Sequence, residues 1–169
     1  MYLTTILAFF HIIFAVIWLG GAVLNTVVLL PLTKIWSSST KKEFLSTFIP
    51  KIVPYMMISS ILTLLFGFLL AYNMSNGNIH SILFHINSWD SYIEIGAILG
   101  LIAFVIGEII IVPIGLKFAS LTGKLIKEGK DPSSSPQVIG LQKKLDGTAL
   151  VGLIFLILTL IIMVSAGFS

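Results

Sequence analysis

An all-α bundle of four transmembrane helices, arranged as two helical hairpins, is the fold class the sequence predicts. Three observations predict it. Hydrophobic residues make up 57% of the 169 residues and charged residues only 10%, where a soluble domain of this size carries about 25% charged. Four apolar runs fill most of the chain, each long enough to cross a hydrocarbon core of about 30 Å, which takes about 20 helical residues. The lysines gather in two of the connecting segments. These features exclude a soluble enzyme, a nucleic-acid reader and a disordered tail. They leave one transmembrane domain over residues 1–169, with almost no mass outside the bilayer.

The first span covers about residues 3–32. It lacks a basic amino-terminal region and exceeds the roughly 7–15-residue core of a signal peptide, so it reads as a resident helix. The second span covers about 52–73, the third 91–116 and the fourth 146–168. The first and third are longer than a bilayer needs and are expected to tilt or protrude. Each carries a proline near its end, Pro31 in VVLLPLTKI and Pro113 in IIIVPIGLKF. The shared string reads either as an internal repeat of two hairpins or as chance similarity of apolar sequence.

The connections read as caps and turns. Thr40 with Glu43, and Ser91 with Glu94, have capping-box spacing. The string DPSSSP at 131–136 breaks a helix that otherwise leaves the third span. The segment 74–90 is apolar for a loop, and its part NIHSILFHINSW is expected to lie in the interface as a short helix anchored by Trp89.

Lysine placement gives the orientation. Lys34, Lys41, Lys42 and Lys51 lie between the first two spans, and Lys117, Lys124, Lys127, Lys130, Lys143 and Lys144 between the last two. By the positive-inside rule both lysine segments face the cytoplasm and both termini face outward, as in a multi-pass protein of the cell membrane. There is no cysteine, hence no thiolate metal site and no cysteine nucleophile.

Polar groups inside a span are costly, so each is a candidate for function. His11 lies roughly 12 Å below the outer end of the first helix at about 1.5 Å per residue. Trp18 and Asn25 follow it at spacings of seven and share its face. Gly20 and Gly21 let a backbone or a flat ligand approach closely. A neutral imidazole there suits an axial bond to haem iron; the same placement suits a structural histidine bonded to a neighbouring helix. Gly67 and Gly100 fall in the same outer half as His11, either as smooth walls for a porphyrin or as ordinary helix packing. His85, from the outer segment, and Met163, in the fourth span, are the candidates for a second axial ligand; Met163 also reads as flexible core filler. Glu108 and Asn25 sit deeper, at comparable levels, as a proton or polar relay or as a clasp bonded to each other. Glu94 reads as a helix cap.

The string HIIFAVIWLGG, His11 to Gly21, resembles the first helix of a group of small four-helix membrane proteins. The group includes the CopD-like copper-resistance membrane domains and the HemJ-type protoporphyrinogen oxidases. LTLLFGF at 62–68 and PIGLKFASL at 113–121 are similar to their second and third spans. The resemblance implies a bundle that holds b-type haem, with the first-helix histidine, here His11, as ligand. HemJ-type enzymes carry basic residues that this chain does not match, notably where Glu94 stands, and there is neither cysteine nor a methionine cluster to hold Cu(I).

The expected function is therefore that of a small haem b membrane protein with an electron-transfer or redox role at the outer side. His11 is its ligand, and Trp18, Gly21, Gly67 and Gly100 lie around the cofactor. Its expected partners are the bilayer, a quinone or external redox protein, and a second copy in a homo-oligomer or a larger membrane complex, with no nucleic acid. The alternatives are a non-catalytic accessory subunit of a membrane complex, and a porphyrin oxidase or copper-handling protein.

Overall fold

The computed structural model describes residues 2–77 and 88–166. Four rods, Tyr2–Ile35, Ile49–Met74, Tyr92–Lys127 and Pro136–Ser165, are long and apolar enough to cross a membrane. No strand occurs among the described residues.

The first rod is α1 (Tyr2–Val23), a π-helical turn (Leu24–Leu29) and α2 (Leu30–Ile35). A short helix, α3 (Ser38–Thr47), leads into the second rod, α4 (Ile49–Met74). The third rod repeats the pattern of the first: α5 (Ser88–Phe104), a π-helical turn (Val105–Ile111) and α6 (Val112–Lys127). A single 3-10 turn (Pro132–Ser134) precedes α7 (Pro136–Ala166), the fourth rod.

The two π turns have a local cause. Pro31 and Pro113 each lack an N–H, and a proline ring clashes with the carbonyl four residues back in an α-helix. Widening the turn relieves that clash. In each rod the residue before the proline donates to the carbonyl five residues back, Leu30 to Asn25 and Val112 to Gly107. The similar strings around the prolines thus adopt the same local structure at matching positions.

Several boundaries differ from those read in the sequence. Ser37 caps α3, accepting from the Thr40 amide at 3.3 Å, while the Thr40 hydroxyl lies 2.9 Å from the Ser37 hydroxyl. Ser91 falls inside α5 rather than capping it, because that helix already starts at Ser88. The fourth rod begins at Pro136, ten residues ahead of the apolar run, since proline suits a first helical turn and polar residues extend the helix beyond the membrane. α4 closes on Asn76 and Gly77, both left-handed (φ 52° and 85°), with the Gly77 amide donating back to Tyr72 O at 3.0 Å.

Within each hairpin, side chains of one rod sit on glycines of the other. A Cβ on Gly67 would stand 2.8 Å from His11 Cε1, and one on Gly21 2.5 Å from Met56 Sδ. In the second hairpin, Gly96 carries Met163 and Gly152 carries Ile106 and Ile111. Lipid gives helices no hydrophobic reason to associate, so such close approach and its dispersion contacts hold the pairs together. Trp18, Ala103 and Leu156 join the hairpins through one buried cluster. Leucine, isoleucine and valine side chains such as Val16 and Ile109 point away from the bundle.

The lysine-bearing end is tied by polar bonds as well. Lys34 pairs with Asp146 at 2.7 Å, and Gln142 donates to the Thr33 hydroxyl at 3.0 Å. Leu45, Phe118 and Val138 pack beneath them. At the 3-10 turn the Asp131 carboxylate accepts from the Ser133 hydroxyl and amide, and these bonds, with Lys41 nearby, hold it below the usual carboxylate range. A depressed value means that this stabilisation is present above the ordinary aspartate pKa of about 3.9 and is lost as pH falls through the lower folded value. Protection of the Ser133 amide, its exchange rate relative to an unstructured chain at the same pH, is therefore expected to hold at pH 5 and to be lost only well below pH ~4.

Candidate functional site

The most buried polar surface in the bundle is one face of α4. Ser59, Ser60 and Thr63 lie at 3%, 0% and 5% exposure. Spacings of three and four place them on one helical face. Ser59 and Thr63 spend their hydroxyls on their own helix, donating to Met56 O at 2.9 Å and Ser59 O at 2.7 Å. Ser60 and the Thr63 carbonyl are the points at which other spans attach.

His11 attaches from the first span. Its Nδ1 lies 2.9 Å from Thr63 O, a carbonyl, so Nδ1 carries the hydrogen and donates it. The ring rests against bare backbone at Gly67, whose Cβ would come within 2.9 Å of Nδ1. Nε2 makes no hydrogen bond among the described residues and keeps its lone pair when the ring is neutral. Phe10, Phe14 and Phe66 stack beside it, with Phe66 centroids 5.1 Å from Phe10 and 5.7 Å from Phe14.

Glu108 attaches from the π turn of the third span. Its Oε1 accepts from the Ser60 hydroxyl at 2.8 Å, while Oε2 is buried with no partner among the described residues. Ser60 also lies 2.9 Å from Met57 O. One hydroxyl hydrogen cannot serve both acceptors at once. His11 and Glu108 thus anchor on residues 63 and 60 of the same α4 face, about 4.5 Å apart in rise.

Asn25 and Glu108 are not bonded to each other. Asn25 donates to Gly21 O at 2.8 Å within its own rod. Trp18 is 5% exposed and fills the joint between hairpins rather than lining a slot. A Cβ on Gly100 would stand 3.5 Å from Thr159 Cγ2, and one on Gly96 3.0 Å from Met163 Sδ. Glu94 makes no hydrogen bond among the described residues. His80, His85 and the side chain of Trp89 lie outside the described residues.

The His11 ring is held so that Nε2 stays available to a metal. A ring hydrogen donated to a backbone carbonyl is the device that fixes a ligating imidazole and leaves its other nitrogen for the metal. No group of three or more metal-ligating His, Cys, Asp or Glu residues occurs among the described residues. An open groove of about 460 Å³ between the first two rods, lined by Val16, Gly20, Lys51 and Tyr55 among others, lies toward the lysine end, away from His11. Ser60 and the α4 serine–threonine face escaped the sequence reading, although SSILT carried the spacing that marks them.

Comparison of the chain with protein-family models, with curated proteins and with solved structures finds no match.

Proposed function

We propose that the chain is a multi-pass membrane protein that carries b-type haem on His11 and serves one-electron exchange near the outer face of the membrane. The observation that supports it most is the Nδ1 bond to Thr63 O, which orients the imidazole and leaves Nε2 uncommitted. Bound there, the haem would supply reversible one-electron chemistry. The chain's own part is to hold and shield: His11 ligates through Nε2, Thr63 O sets the ring's tautomer, and Gly67 gives it a flat seat. The Phe10, Phe14 and Phe66 stack excludes water from its side. Orientation follows from the lysines, which place their end in the cytoplasm and His11 in the outer half. A quinone or an external redox protein is the partner this depth suits.

A second reading is a non-catalytic subunit that packs into a larger membrane complex. It is favoured by the filling of Gly21, Gly67 and Gly96 with neighbouring side chains, so that each of these glycines has a packing role without a cofactor.

A reduced-minus-oxidised visible spectrum of the detergent-purified chain separates the two. The haem reading expects a sharp α-band of b type. A protein that stays colourless after expression with added haem leaves the subunit reading.

A further inference from the structure

At the lysine-bearing end, five elements close around a cavity of about 100 Å³. Lys34 on α2, Lys41 on α3, Thr122 on α6, Ser133 on the 3-10 turn and Gln142 on α7 line it. Thr122 is the telling residue. It is 1% exposed, and its hydroxyl has no hydrogen-bond partner among the described residues. A buried hydroxyl left unpaired is costly and is ordinarily satisfied by something.

Phe118, Pro132, Val138 and Ile139 give the cavity apolar walls, and the polar groups set among them are mainly donors. Lys41 makes no hydrogen bond or ion pair with any described residue, although its charge is felt at Asp131. Lys34 gives one ammonium hydrogen to Asp146 and retains two. Ser133 gives its hydroxyl to Asp131, and Gln142 gives one amide hydrogen to Thr33. Of the acids nearby, Asp131 accepts from Ser133, and Asp146 holds Lys34 through Oδ2 while its Oδ1 is buried with no partner among the described residues. The donors with capacity left at the cavity are two ammonium groups, the Thr122 hydroxyl and the second Gln142 amide hydrogen, from four different helices. The volume exceeds the ~30 Å³ share of one water several-fold.

We infer that this cavity binds an oxyanion of the phosphate class, held by Lys34, Lys41 and the Thr122 hydroxyl. Charge-assisted bonds from ammonium groups suit phosphate oxygens, and the tetrahedral anion offers acceptors to donors arriving from separate helices. The lysine end of a membrane bundle lies level with lipid headgroups. The phosphate therefore comes either from an anionic phospholipid or from free phosphate. Neither source depends on haem at His11.

The full chain in detergent is titrated with inorganic phosphate by calorimetry. In parallel it is reconstituted into nanodiscs of equal phosphatidylglycerol and phosphatidylcholine, and retained lipid is counted by native mass spectrometry. Thr122→Val keeps the side-chain shape and removes the hydroxyl; Lys41→Gln removes a charge; Lys117→Gln, outside the cavity, is the control. Circular dichroism verifies that each variant is helical. Binding of either probe is expected to weaken about tenfold in Thr122→Val and Lys41→Gln and to be unchanged in the control. Retention of phosphatidylglycerol without phosphate binding assigns the headgroup as source, and phosphate binding assigns the free ion. Binding of neither probe by the wild-type chain, or equal binding by wild type and both cavity variants, overturns the inference.

Discussion

Replacing Ser60 with alanine is expected to lower the unfolding free energy of the detergent-solubilised chain by about 1–3 kcal/mol. Interhelical hydrogen bonds in membranes average only about 0.6 kcal/mol, because the separated helices find other partners. Ser60 exceeds that average for a specific reason. Glu108 Oε2 already has no partner among the described residues, so losing the Ser60 hydroxyl leaves both carboxyl oxygens unpaired at a buried position. Ser59→Ala is the comparison: Ser59 is equally buried but bonds only Met56 O of its own helix. Denaturant unfolding followed by circular dichroism should show Ser60→Ala well below Ser59→Ala. Equal losses would mean that the bond to Glu108 does not join the hairpins.

Gly67→Ala is the second large effect. The new methyl would stand 2.8 Å from His11 Cε1 and 2.9 Å from Nδ1, closer than carbon and nitrogen tolerate. The imidazole is a rigid ring tied to Thr63 O, so it cannot move aside without losing that bond. Overpacking of this kind costs about 1–3 kcal/mol. Gly96→Ala meets only Met163, a flexible side chain that can swing away, and Gly107→Ala meets nothing within 4 Å. The expected order of destabilisation, read from the same unfolding curves, is Gly67 first, Gly96 next and Gly107 near zero. A Gly67→Ala chain as stable as Gly107→Ala would contradict the seating of His11.

The four spans were legible in the sequence because lipid demands long apolar runs, and composition alone reveals those. The ends were less so. Residues 136–145 carry lysines, a glycine and glutamine, so hydropathy stops where the membrane stops although the helix continues. The two prolines were visible, but the π turns they produce depend on how the backbone relaxes the clash, which no side-chain pattern spells out. His11 and Glu108 stood out as polar groups in apolar runs. Their partners did not: His11 bonds a main-chain carbonyl, and Glu108 a serine, a residue common enough in membrane helices to draw no notice. The expected Asn25–Glu108 clasp rested on equal depth. Depth fixes one coordinate and leaves the rotation of each rod open, and the rods turn the two residues toward different partners.

Substitution of His11 by alanine alone does not isolate the proposed bond from Nε2 to haem iron, since the Thr63 bond is lost as well. Purified His11→Gly, expressed with haem and then supplied with imidazole, separates the roles. The account predicts a b-type difference spectrum in the wild-type chain, its loss in His11→Gly, and its return when free imidazole occupies the vacated space. A wild-type chain without the band, or a band that survives in His11→Gly without imidazole, would contradict it.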